Sequence, residues 1–196
     1  MNVRKYVMIM GLVWGVAGNV FSQNDLTAAN QLRLKTNRQS MYVLGGWAVT
    51  NIAAGAALRA GSEGNIRYFH EMNAFWNVVN LGLAAGSLIG TAKSDPAGYD
   101  QWQTFREQQK IEKTLLFNSG LDLAYMATGL YLTEKSQTTQ NNPERLRGYG
   151  QSLILQGGFL LVFDLSTYLI HQSHGKKVYR KMISASPGQV GMLMRF

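Results

Sequence analysis

The chain has 196 residues, enough for one domain, with 46% hydrophobic and only 15% charged residues. An ordinary soluble domain carries about 25% charged residues. There is no cysteine, which excludes disulfides and thiolate metal centres. The net charge of +8 is spread over loops and a tail without a basic helix face. Nucleic acid is therefore excluded as the partner, and anionic lipid headgroups are the expected counterpart. Glycine is frequent at 21 and proline rare at 3, the balance of closely packed transmembrane helices.

Residues 1–22 have the layout of an export signal. Arg4 and Lys5 are followed by an apolar run from Tyr6 to Ala17, and Val20-Phe21-Ser22 suits cleavage. The alternative is an uncleaved first membrane helix. Asp25 is the expected N-cap of a helix that starts at Leu26, carries Arg33, Lys35 and Arg38, and runs on into a first span over residues 40–58. A polar link over 59–69 follows.

The chain is organised around residues 70–92. From Met72 to Ala92 there is no charge, long enough as a helix to cross a hydrocarbon core of about 30 Å. His70, Asn73, Asn77 and Asn80 recur at three-four spacing and share a face. Gly82, Gly86 and Gly90 form a double GxxxG run on nearly the opposite face. One face offers hydrogen bonds and the other close backbone packing, within the chain or in a homodimer.

Asp95-Pro96 predicts a new helix. Tyr99, Trp102 and Phe105 among charged residues predict an amphipathic helix over 97–113, between spans 2 and 3. A third span covers 114–133, interrupted by Asp122, and a polar link covers 134–148. The fourth span covers 149–171 with Asp164 inside it, and Gly175 is its expected stop. Residues 175–196 form a basic tail, with a type II turn at Ser186-Pro187-Gly188-Gln189. The block Gly46–Gly55 resembles Gly120–Gly129, which suggests two related helical hairpins.

The reading is therefore all-α: a signal peptide, then a four-span membrane bundle over 23–174. At 1.5 Å per residue, Asn51, Asn80 and Asp122 lie about 14–16 Å below the level of the two links, and Asp164 about 22 Å. With Asn73, Asn77, Asn118 and Gln156 they form a polar intramembrane set. An Asp at a helix centre costs about 2.5–3.5 kcal/mol on insertion, so both must face the interior and find donors. The amides of the second span are the expected source. Two roles fit this set: interhelical hydrogen bonding, or a site for protons, ions or a lipid headgroup.

His171 and His174 have metal-compatible spacing, but no third ligand is visible in the sequence. No metal, cofactor or catalytic group is assigned. His70-Glu71 reads as a helix entry rather than an acid–base pair. The nucleophile elbow, HExxH and phosphate-loop motifs are missing.

Val43-Leu-Gly-Gly-Trp-Ala48, Arg67-Tyr-Phe-His-Glu-Met-Asn-Ala-Phe-Trp-Asn77 and Leu146-Arg-Gly-Tyr-Gly-Gln-Ser-Leu-Ile-Leu-Gln-Gly157 resemble an uncharacterised family of small multi-pass membrane proteins from Bacteroidota. The resemblance covers most of the mature chain. It implies a bacterial envelope location and carries over no functional residue. The expected protein is a non-enzymatic component of the inner membrane, structural or partner-binding, in contact with lipid and with a second copy or another envelope protein. The alternative is a bundle that conducts protons or ions, or handles a lipid headgroup, through Asp122 and Asp164. A cleaved signal would leave both mature termini in the periplasm, whereas the excess of Lys and Arg near them argues for the cytoplasm.

Overall fold

The computed structural model describes residues 22–185, which form four long helices. The export signal, apart from Ser22, and the tail turn lie outside the described residues. Helix α1 spans Gln23–Arg59 and α2 spans Gly64–Lys93. After a single 3-10 turn at Pro96–Gly98, α3 spans Gln101–Lys135 and α4 spans Pro143–Ala185. Three of the four, α1, α2 and α4, are long and apolar enough to cross a membrane.

Local chemistry moves several boundaries. Ser22 caps α1 by accepting from the backbone N–H of Asp25, so Asp25 sits in the first turn rather than at the cap. The first link is four residues long because α2 already begins at Gly64, whose positive φ makes the turn. Asp95 caps only the short turn. The cap of α3 is Asp100, in a reciprocal capping box with Gln103. No separate amphipathic helix stands between α2 and α3 among the described residues, because residues 101–113 are the first turns of α3. Nor does Gly175 end α4, which continues for ten further residues to Ala185.

Helices α1 and α2 form one hairpin, α3 and α4 the other, and α4 packs against all three partners. The mutually similar blocks close their hairpins alike. A Cβ on Gly55 would meet the His70 carbonyl at 2.7 Å, and one on Gly129 would meet the Gly150 carbonyl at 2.5 Å. Helices α2 and α4 run parallel in a constant offset: Gly148 lies on Asn65 and Phe69, and Ser152 and Gln156 lie on Asn73.

The polarity of this bundle is inverted. The inward stripe of α2 is His70, Asn73, Asn77, Asn80, Ala84, Ser87 and Thr91, a three-four repeat of mostly polar residues. Helix α4 turns Ser152, Gln156, Asp164, Thr167 and His171 inward. The outer faces carry Tyr42, Phe75, Val79, Leu83, Phe117, Leu130, Val162 and Leu169, each more than half exposed. The one buried apolar cluster among the described residues is Leu44, Ala84 and Leu160.

Candidate functional site

The inward polar residues fall into two sets, one on each side of that apolar cluster. The first lies toward the links. Gln156, fully buried on α4, accepts from the Trp47 indole N–H at 2.9 Å and donates to the Asn73 side-chain oxygen at 2.9 Å. It also reaches the Asn51 oxygen at 3.4 Å. Asn73 accepts from Ser152 as well, at 2.7 Å. Asn77 donates to the Asn73 carbonyl and Asn80 donates to Asn77. None of the buried side-chain atoms of these residues lacks a partner. Three helices are tied together by amides and hydroxyls.

A charged clamp sits above this set, outside the 72–92 span. Glu71 pairs with Arg59 at 2.8 Å and accepts from the Tyr149 hydroxyl at 2.7 Å. The Tyr149 hydrogen bond, followed by that of Arg59, holds the Glu71 carboxyl below the usual range. Glu71 is thus a cross-helix tie seven residues into α2 and not a helix-entry residue.

On the α3 side of α4, from the level of Leu160 toward the termini, the character changes. Asp122 of α3 and Asp164 of α4 face each other, with Asn118 beside Asp164. The expected donors on α2 do not serve this pair: the Asn73–Asn80 stripe is spent on the first set. Both carboxyls are buried, and Oδ2 of Asp122 has no hydrogen-bond partner.

The seam continues toward the terminal end of the bundle. Thr167 and His171 follow Asp164 on the same face of α4, all buried. His171 is 0% exposed and neither ring nitrogen has a partner. Its carbonyl accepts from Gln108 of α3, which also donates to Glu112. From α1 comes Arg33, 4% exposed, donating to Asn30 and stacked over the Tyr99 ring, with Nε bare. Asn30 ties to Thr104 of α3, and Asn37 donates to Ser87 and Thr91 of α2. His174 lies beyond the span, where burial and then the nearby Lys177 charge depress its basicity. The described residues hold no group of three His, Asp or Glu arranged for a metal ion.

Sequence reasoning missed Arg33, Gln108 and Glu112, which it assigned to amphipathic, solvent-facing stretches. A signal was present: Thr104, Gln108, Glu112, Leu115, Ser119 and Asp122 keep a three-four spacing straight into the third span.

The glycines divide as sharply. Among the described residues nothing lies within 4 Å of a Cβ placed on Gly82, Gly86 or Gly90, so their stripe faces outward. Close backbone packing is made instead by Gly55, Gly129, Gly148, Gly150 and Gly157. A shallow groove of about 420 Å³ between α1 and α2, flanked by Met41, Gly45, Val49, Leu81 and Ala85, belongs to the apolar exterior.

A family model described as a family of unknown function (DUF6992) matches residues 43–165, which include the whole first polar set and both Asp residues. Neither a curated protein nor a solved structure matches the chain.

Proposed function

The chain belongs to the DUF6992 family, and on that premise we propose that it is a multi-pass protein of the bacterial inner membrane, with a structural or partner-binding rather than enzymatic role. The observation that carries this reading is the inverted polarity. A water-soluble bundle buries its large aliphatic side chains and turns amides and charges outward. Here Asn, Gln, Asp and His fill the interior while Phe, Val and Leu cover the outside. That arrangement is favourable only in hydrocarbon, where interhelical polar contacts and small residues hold helices together.

Helix α3 is the fourth span in this reading. Its exposed Leu116, Phe117, Leu121, Leu123, Leu130 and Tyr131 cover about 22 Å of helix. Its inward Asn118, Ser119 and Asp122 dilute its average hydropathy without touching lipid. The first polar set supports the structural role, because its buried side-chain atoms are paired, with Gln156 and Ser152 tying α4 to α1 and α2. The bare Oδ2 of Asp122 favours a second reading, in which the Asp pair handles protons, ions or a lipid headgroup.

The chain has no cysteine, so single cysteines test the topology directly. Cysteine at Phe117 or Leu123 should resist a membrane-impermeant maleimide in intact vesicles, and cysteine at Gln137 should label from one side. Rapid labelling at Leu123 would remove α3 from the membrane. Release of the protein into alkaline carbonate without detergent would overturn the membrane reading as a whole.

A further inference from the structure

We propose that the part of the seam from Asp122 and Asp164 to His174 is a one-sided proton path, with a proton held between the two carboxyls and exchanged with water only past His171. The inference rests on the membrane reading for its sidedness, but not for the proton held by the Asp pair.

Four observations carry it. First, the two carboxyls meet across the α3/α4 interface. Two buried carboxylates that face each other cannot both be ionised, so one proton belongs to the pair. Second, Asp164, Thr167 and His171 line one buried face of α4, covering about 10 Å in two turns. Third, the bare polar atoms of this half include the ones a relay requires, Oδ2 of Asp122, both nitrogens of His171 and Nδ1 of His174, beside the bare Nε of Arg33, whose guanidinium stays charged. Fourth, the opposite direction lacks a relay of this kind. Leu160 packs on Leu44 and Ala84, the paired amide set contains no titratable side chain within the span, and the bare Trp76 indole Nε1, edge-on to Tyr125, cannot take up a proton.

Every element contributes to the surroundings of His171. Arg33 comes from α1 and Glu112 from α3, while His174 and Lys177 follow on α4. The inward residues of α2 at this level, Ser87 and Thr91, do not titrate. The transferred species in this proposal is a proton, because the bare atoms along the seam are carboxyl and imidazole atoms that bind and release one. Each step breaks one O–H or N–H bond and makes another. The carboxyl pair gives its proton to water or to the Thr167 hydroxyl, the His171 imidazole takes it up, and His174 passes it to solvent. The Asn118 amide stabilises the carboxylate left behind.

Infrared difference spectroscopy of the purified protein, in phosphatidylcholine–phosphatidylglycerol vesicles, tests this. The wild type should show a protonated-carboxyl band near neutral pH that is lost in both Asp164→Asn and Asp122→Asn. On transfer to heavy water, exchange of that band should slow at least tenfold in His171→Leu and stay within twofold in Gln156→Leu. His171→Gln, which keeps a polar side chain, guards against a folding defect and should also slow exchange. Both His171 variants are compared at unchanged helicity. A missing carboxyl band overturns the held proton. Slowing by Gln156→Leu but by neither His171 variant overturns the direction of the path. Carbonate extraction reports on the membrane reading separately, since the band itself needs no bilayer.

Discussion

On the two sides of Leu160 the bundle solves the same problem differently. Toward the links, Trp47, Asn51, Asn73, Ser152 and Gln156 bring polar atoms inside and pair them, and among the described residues only the Trp76 indole N–H is left bare there. Toward the termini, Asp122, His171 and Arg33 are equally buried but leave polar atoms bare. A satisfied polar layer fixes register and orientation, whereas an unsatisfied one spends stability on something other than packing. The first half reads as structure and the second as a site, although both are built from the same inward stripe.

That contrast can be broken, most severely by steric means. Gly150→Leu in the tied half should cost about 3 kcal/mol or prevent folding, because a Cβ there would lie 2.5 Å from the Gly129 carbonyl. Detergent-solubilised protein with a normal thermal midpoint would show that the α3/α4 contact is looser than described. Gln156→Leu should cost about 2 kcal/mol, since it strands the Trp47 indole N–H and removes a donor from Asn73. Asp164→Asn sharpens the contrast. It should change stability by less than about 1 kcal/mol, or raise it, because an amide can replace the protonated carboxyl as the donor to Asp122. A loss as large as that of Gln156→Leu would make the Asp pair a structural tie.

Smaller effects follow at the edges. The Glu71 clamp is partly exposed, so Glu71→Gln should cost about 0–1 kcal/mol. Its folded-state pKa lies below the unfolded value, so the contribution is present above the usual carboxylate range. It fades as pH falls through the lowered folded value, and Glu71→Gln should abolish that acid-side dependence in thermal melts. Gly86→Leu should shift stability by no more than about 0.5 kcal/mol, as none of the described residues lies within 4 Å. Conversion of a dimer to a monomer in that variant would instead assign the stripe to an interface between two copies.

Much of this was legible in the sequence for a simple reason: spacing survives translation into structure. The Asn73–Asn77–Asn80 stripe is buried as its periodicity requires, and Asp122 and Asp164 face each other across two helices. The partners of these groups were not legible. Periodicity says which residues share a face but not which helix covers it, so the Asn stripe went to Gln156 and Ser152 rather than to the carboxyls. Of the two roles expected for the glycine run, packing within the chain did not hold, for a related reason. GxxxG marks a surface that admits a close neighbour, and at Gly82, Gly86 and Gly90 the described residues supply none. Isolated glycines such as Gly129 and Gly150, without the motif, make the tight contact because their positions oppose each other in the hairpin. Charge misled most. Arg33 and Glu112 looked like surface residues because each is ionisable, yet each lies on the inward three-four register.

The mixed character of α3 bears on how the protein is assembled. Among the four helices it alone falls short of the apolarity that lets a helix cross a membrane by itself, although it is long enough. Its inward Asn118, Ser119 and Asp122 are acceptable to hydrocarbon only when α4 already covers them. In the proposed bundle α3 therefore cannot be a committed intermediate of synthesis. The seven-residue link between Lys135 and Pro143 must hold α3 at the mouth of the insertion machinery until α4, the more apolar partner, arrives. The second hairpin then enters as one unit, and a chain truncated before Pro143 should leave α3 stranded in water.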